Sequence, residues 1–216
     1  MFEMGDQHMI IINDLDSMSG ISNDTLTYYE KNATSFADIT KSVDFTSVQE
    51  RFLKHIPVGG RFLDFGCGAG RDTKYFLEKG YKVDAVDGSE KLCRIASEYA
   101  GIKVERMLFL ELDADNIYDG IWACSSILHL PKKELKDVFE KMIRATKDSG
   151  YIYTSFKYGE FEGARNERYF TDFTERSFDA FLSEISGVQI IDEWVTADVR
   201  PGRGDEKWLN IILQKK

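Results

Sequence analysis

One stretch, RFLDFGCGAGRDTKYFLEKGYKVDAVDGS at residues 61–89, constrains this chain more than any other. Phe62–Phe65 is an apolar run of strand character that breaks into a glycine-dense turn, Gly66-Cys67-Gly68-Ala69-Gly70. The pattern then predicts a helix from Arg71 to Lys79, stopped by Gly80, and a second strand over Tyr81–Val86 ending in Asp87. Glycine in such a turn accepts backbone angles closed to other residues and lets a ligand lie against bare main chain. The helix start that follows presents unpaired N–H groups to an anion. Asp87 stands twenty-one residues after Gly66, near where a doubly wound fold places an acid for a ribose diol. The spacing is G-x-G-x-G, whereas dinucleotide-binding folds have G-x-G-x-x-G, which argues against a nicotinamide cofactor.

On either side of this stretch the elements alternate. Asn23-Asp24-Thr25 can cap a helix carrying Tyr28, Tyr29, Asn32 and Phe36, and a second helix is expected over Thr46–His55. Pro57 and Gly59-Gly60 then mark a boundary. Ser89 can cap a helix running to about Tyr99 and ended by Gly101, followed by strands at Ile102–Leu108 and Tyr118–Ser125. Pro131 opens an amphipathic helix with Leu135, Val138, Phe139, Met142 and Ile143 on one face. Asp148-Ser149-Gly150 is expected to turn this helix into a strand at Tyr151–Phe156. A long polar loop over 157–173, a helix at about 174–186 and strands at Val188–Thr196 and Lys207–Gln214 complete the chain. Alternation of this kind favours a parallel sheet covered on both faces.

Composition bounds the function. The 216 residues suit one α/β domain with an extension. A net charge of −9 disfavours nucleic acid as a general partner, though a local basic surface is compatible with it. Cys67, Cys93 and Cys124 are odd in number, lack metal-ligand spacing and read as reduced thiols of a cytoplasmic protein; no metal site is expected. No apolar run reaches membrane-spanning length. The first twenty residues make a poor secretory signal and read as a partly ordered leader. Nothing in the sequence fixes an oligomeric state.

LDFGCGAG, with Asp64 two residues before the first glycine, followed by VDAVDGS, resembles the nucleoside-binding half of class I S-adenosylmethionine-dependent methyltransferases. The resemblance covers about residues 60–216. It implies a Rossmann-like α/β fold: a seven-stranded sheet with helices on both faces and a terminal antiparallel hairpin. An N-terminal leader and helical cap at 1–58 would precede a methyltransferase domain at 59–216. It also implies S-adenosylmethionine as cofactor and methyl transfer as the reaction. Carried over to this chain, Gly66, Cys67, Gly68 and Gly70 would border the methionine part of the cofactor, and Asp64 would orient that loop. Asp87 would take the ribose hydroxyls, with Gly88 and Ser89 close by. Relatives often place an acid after the third strand for the adenine amino group. Here the residues are Met107, Leu108 and Phe109, so apolar contact replaces it, or these residues belong to the core.

Ala123-Cys124-Ser125-Ser126-Ile127-Leu128-His129-Leu130-Pro131 is similar to the family's fourth-strand segment, which borders the sulfonium. Methyl transfer needs no covalent step, so Cys124 reads as a lining thiol and not a nucleophile. His129 is either a general base for the acceptor or a packing residue at the next helix. Arg71 either helps the cofactor carboxylate or pairs with Asp72 on the helix surface.

Ligands of open parallel sheets bind beyond the strands' carboxyl ends. The segments KYGEFEGARNERYFTDF and ADVRPGRGDE both emerge there and bring Arg168, Tyr169 and Arg200 to one mouth as candidate substrate contacts. Arginine at such a mouth would suit an acidic, small-molecule acceptor. The alternative is that neighbouring carboxylates neutralise these cations. Tyr28 and Tyr29 are candidate substrate contacts on a helix that either closes over the site or simply packs there. Gly68–Arg71 with GYKV at Gly80–Val83 resembles tellurite- and thiol-detoxifying methyltransferases. Arg168-Tyr169-Phe170 with Trp208 resembles enzymes that methylate a carboxymethyl group on a tRNA wobble uridine. The expected function is therefore methyl transfer to a small molecule, with a tRNA-modifying enzyme or a non-catalytic cofactor-binding sensor as alternatives.

Overall fold

The computed structural model describes residues 23–216; the expected leader lies outside them. A mixed sheet runs through the centre. Its strands are β1 (Arg61–Phe65), β2 (Lys82–Asp87), β3 (Glu105–Arg106), β4 (Tyr118–Ala123), β5 (Thr146–Lys157), β8 (Val188–Ala197) and β9 (Lys207–Lys215), with β6 and β7 forming a separate hairpin described below. Their spatial order is β3-β2-β1-β4-β5-β9-β8. The first five are parallel, while β9 runs antiparallel to both β5 and β8. Because β8 thereby runs parallel to β5, the turn that leaves it emerges on the same sheet edge as the glycine turn.

Side chains of successive strand residues point to opposite faces, and the two cores follow from that alternation. Leu63, Phe65, Ile121, Ile152 and Ile211 face α5 (Lys132–Ala145) and α6 (Glu175–Leu182), which contribute Leu135, Val138, Phe139, Met142 and Phe178. Phe62, Trp122, Tyr153 and Ile212 face the other way, towards Phe52 of α2 (Thr46–Leu53) and Phe76 of α3 (Arg71–Glu78). Trp122 stacks on Tyr153 at 3.9 Å between ring centroids, and Phe62 stacks on Phe76 at 4.7 Å. Helix α2 is thus built into the sheet's own core. A smaller cluster of Ala85, Cys93, Ala96 and Val104 seats α4 (Glu90–Ala100), which starts on a Ser89 side-chain cap and ends at Gly101, φ 74°. No described helix is long and apolar enough to cross a membrane.

Three expectations fail for local reasons. The third strand shrinks to Glu105–Arg106, because Ile102 and Val104 pack against α4 and a short 3-10 turn follows at Phe109–Glu111. Asp148-Ser149-Gly150 does not separate helix from strand. Helix α5 passes directly into β5 at Thr146, and the extra residues form an irregularity, with Tyr118 paired to Thr146 but Gly120 to Tyr151. The polar loop 157–173 folds into an antiparallel hairpin, β6 (Glu162–Arg165) with β7 (Arg168–Thr171). Helix α1 (Asn23–Thr40) forms as expected.

Candidate active site

The carboxyl ends of the parallel strands open into a cavity of about 650 Å³. Its floor is the turn between β1 and α3. Gly66, Gly68 and Gly70 take φ values of 85°, 58° and 84°, the left-handed region that only glycine enters without strain. A Cβ on Gly66 would stand 2.4 Å from the Cβ of Ser126, and one on Gly68 would meet the Phe36 ring at 3.2 Å. The turn is pinned by the Gly66 and Cys67 N–H groups, which both donate to Val86 O at 2.9 Å. Gly66, Cys67 and Gly68 line the cavity. Gly70 does not. Its missing Cβ lets α3 lie against Ala96 of α4, 3.1 Å away.

Asp87 closes the floor at the end of β2. One carboxylate oxygen accepts the Gly68 N–H at 2.9 Å and the other the Ser89 N–H at 2.8 Å. Burial raises its carboxyl to about 6 against the pull of these donors. Each oxygen keeps a second lone pair, so two vicinal hydroxyls could donate to it. Gly88, Ser89, Met107, Leu108 and Phe109 continue the lining, and Phe109 packs edge-on to Phe65 at 4.9 Å. Bare backbone, a two-oxygen acceptor and an apolar slot side by side fit an adenosyl group.

Two further candidates sit behind the floor. Asp64 is buried, does not line the cavity and accepts the Thr73 hydroxyl at 2.5 Å, so it braces the turn from below. Ala123 is wholly buried in the core. Arg71 lines the cavity but lies bidentate on Asp72, at 2.7 and 2.9 Å. Asp72 also accepts from Gln49 at 2.7 Å and Trp122 at 2.9 Å. Burial opposes ionisation of Asp72, but Arg71 and these donors hold its carboxyl below the usual range. Burial and the charge of Asp72 together raise Asp64. Burial pushes the Cys124 thiol up to about 12, which leaves it a neutral lining group.

Helix α1 roofs the cavity. A Cβ on Gly88 would stand 2.8 Å from the Leu26 side chain, and Tyr29 and Phe36 line the interior. The Tyr29 hydroxyl donates to His129 Nε2 at 2.8 Å, and His129 Nδ1–H donates to the Tyr169 carbonyl at 2.6 Å. The carbonyl can only accept, which fixes the tautomer. The Tyr169 N–H in turn donates to Thr25 Oγ1 at 2.9 Å. Burial lowers the imidazole to about 4, the nearby Arg168 and Arg165 charges adding to that effect and the Tyr169 carbonyl opposing it. With both nitrogens committed and protonation suppressed, His129 serves as a rivet between roof and hairpin, not as a free base. Tyr169 contributes its peptide; its hydroxyl points to Glu162 at 3.3 Å and its ring does not line the cavity. Tyr28 also lies outside, edge-on to Tyr29.

The far end gathers Ser125, Ser155, Lys157, Arg165, Arg168, Phe170, Asp198, Arg200 and Asn210. Arg200 is bidentate on Asp198, at 2.9 and 2.5 Å, and Asp198 also takes Lys157 and Trp208 Nε1. Arg200 is therefore neutralised in place, as the alternative reading had it. Arg168 does reach the cavity. Sequence reasoning missed Ser155 and Asn210 as part of the site. Asn210 had a signal, a lone polar residue in the apolar run LNII, whereas Ser155 follows another polar residue, Thr154, and had none.

Residues 62–150 match a family model described as a methyltransferase domain. A putative methyltransferase of Bacillus subtilis, YqeM, is 28% identical over 141 residues, 54% of this chain and 57% of the relative. An uncharacterised methyltransferase of Staphylococcus carnosus is 30% identical over 93 residues, covering 43% and 45%. The chain thus spans about half the length of the curated relatives it matches. Among solved structures, the 1,6-didemethyltoxoflavin-N1-methyltransferase of Burkholderia thailandensis, with 1,6-didemethyltoxoflavin and S-adenosylhomocysteine bound, superposes with a TM-score of 0.72 at 21% identity. That match covers 88% of this chain and 87% of that one.

Proposed function

We propose, from the match of residues 62–150 to a methyltransferase domain and the likeness of the fold to an S-adenosylhomocysteine-bound methyltransferase, that the protein transfers a methyl group from S-adenosylmethionine to a small-molecule acceptor. The observation that carries the reading is a single roofed cavity with the glycine turn and Asp87 at one end and a separate polar, cationic end beyond Ser125. S-adenosylmethionine supplies an activated methyl for in-line displacement when it is bound. Asp87 would hold the ribose hydroxyls by charge-assisted bonds, the bare backbone at Gly66–Gly68 would admit the methionine part, and Met107, Leu108 and Phe109 would flank the base. Helix α1 roofs the cavity through Leu26, Tyr29 and Phe36 and so limits how an acceptor can approach, and positioning of this kind lowers the barrier to an in-line displacement.

The one histidine lining the cavity among the described residues has no free nitrogen. The reading therefore favours an acceptor whose nucleophilic atom is already unprotonated or gives its proton to water. Enclosure under α1 supports a small molecule over tRNA, as does the net charge of −9. Calorimetry with S-adenosylmethionine, S-adenosylhomocysteine and NAD, followed by labelled methyl transfer into a metabolite extract, tests the proposal. We expect uptake of the first two ligands alone and label in a small molecule. Label in the RNA fraction, with a steep salt dependence, would replace the acceptor class; binding without transfer would make the protein a sensor. Uptake of none of the three ligands would end the reading.

A further inference from the structure

The β6–β7 hairpin is folded against its own electrostatics. Its two-residue turn, Asn166–Glu167, has φ values of 50° and 60°. Tight hairpins require that conformation, and a glutamate adopts it only under strain. The result is that Arg165 and Arg168 stand as directly paired residues across the ladder, where like charges repel. Arg165 is relieved by Asp172, in a bidentate pair at 2.7 and 2.7 Å. Arg168 is not. Among the described residues its neighbours are the rings of Tyr28 at 4.3 Å, Phe170 at 5.1 Å and Tyr29 at 5.9 Å, the Asn166 carbonyl at 3.5 Å and the Tyr29 hydroxyl, none of them an anion.

The other arginines of the cavity behave differently. Arg71, Arg200 and Arg203, like Arg165, each meet a carboxylate, on Asp72, Asp198 and Glu206. Arg168 differs from them in having no carboxylate partner among the described residues, and its ring contacts do not consume the guanidinium N–H groups. Arg168 is half-buried beside the buried Phe170 ring, so part of its surface is shielded from solvent, which strengthens a charge pair formed there. Both guanidinium groups of the hairpin also lie against Phe170, Arg165 at 4.3 Å. The hairpin carries as many carboxylates as guanidinium groups, Glu162 and Glu167 against Arg165 and Arg168, yet neither carboxylate pairs with Arg168 among the described residues.

We propose that Arg168 is the seat of an oxyanion group, carboxylate or phosphate, carried by the acceptor, and that this contact sets which end of the acceptor points at the glycine turn. The proposal rests on the methyl-transfer reading for the word acceptor, but the binding site itself stands on the geometry of the hairpin. An oxyanion there would supply the anionic partner that Arg168 lacks among the described residues and offset the repulsion built into the Arg165–Arg168 pair. A neutral ligand would do neither.

The test is a calorimetric titration of the protein saturated with S-adenosylhomocysteine, using benzoate, phenyl phosphate and benzamide as probes. Saturable binding of benzoate or phenyl phosphate is expected, weakened by added salt, with benzamide at least tenfold weaker. Whichever anion binds more tightly identifies the group. Arg168→Gln should weaken anion binding at least tenfold while leaving S-adenosylhomocysteine affinity unchanged, which also certifies its fold. Arg61→Gln, remote from the cavity, should bind the anions as the parent does. Equal binding of benzamide, binding of neither anion, or undiminished binding to Arg168→Gln would overturn the proposal. If S-adenosylhomocysteine itself fails to bind, the methyl-transfer reading falls, and the same titrations on the free protein still decide the Arg168 site.

Discussion

The floor of the cavity comes from one continuous stretch, residues 61–89, whereas its far end is assembled from α1, His129, the β6–β7 hairpin and the strands that flank the last turn. The floor works through main chain: glycines with positive φ, and peptide N–H groups of Gly68 and Ser89 that fix the Asp87 carboxylate. The far end works through long side chains whose charges are mostly cancelled in place. A backbone site tolerates little change and suits a ligand that does not vary. A side-chain site held by a hairpin and a roof can be re-specified by one or two substitutions.

The sharpest way to break this contrast is Gly66→Ala. The added Cβ would lie 2.4 Å from Ser126 at φ 85°, so a destabilisation of about 2–5 kcal/mol is expected from strain and overpacking together. Thermal melting should show it as a fall of roughly 5–15 °C. A fall of a degree or less would mean that the turn is not the rigid floor described above.

Asp87→Asn should be gentler on folding and harder on the ligand, costing roughly 10–100-fold in S-adenosylhomocysteine affinity. Its pH dependence carries a sign. Hydroxyl donors favour the carboxylate, and the free protein's Asp87 titrates near 6, so affinity should decline as pH falls below about 6 and should stay level in the Asn variant. In the ligand-free protein the same raised value acts in reverse on stability: its contribution is complete below about pH 4 and is lost as pH rises through about 6. Isothermal titration across pH 5–8 checks the first effect and melting curves the second.

Tyr29→Phe probes the roof. It leaves His129 Nε2 without its donor and costs about 1–3 kcal/mol of docking. Amide exchange across residues 25–37 should quicken roughly tenfold or more while exchange in β1 and β4 stays as it was. Unchanged exchange in α1 would show that the rivet holds nothing. The smallest effect is expected from Glu167→Gly, which relieves the left-handed glutamate and should stabilise the protein by about 0.5–1 kcal/mol. A measured loss of stability would remove strain from the account of the hairpin.

The unequal legibility of the two regions follows from the same contrast. The strand, turn, helix and strand of 61–89 could be read because each signal is local: an apolar run, glycines, an amphipathic period, a glycine stop. The β6–β7 hairpin was missed because its strands, EGAR and RYFT, carry charge without alternation and its turn is Asn-Glu instead of Asn-Gly. The break expected at Asp148-Ser149-Gly150 was overruled by packing. A Cβ on Gly150 would stand 2.9 Å from Lys147 O and 3.0 Å from Asp119 O, so that glycine serves close backbone approach within the sheet and not a turn before it.

What the sequence determined by itself is the doubly covered sheet, the glycine turn and the acid at residue 87, because these rest on backbone conformation and periodicity that neighbouring residues encode. What only the tertiary structure decided is which polar side chains are already spoken for. Asp64 went to Thr73, Arg71 to Asp72, His129 to Tyr29 and Tyr169, Arg200 to Asp198, and Arg168 to no carboxylate among the described residues. Those pairings join residues up to 100 positions apart. A charge's availability depends on whichever partner the folded chain brings within hydrogen-bond reach, and no local pattern records that.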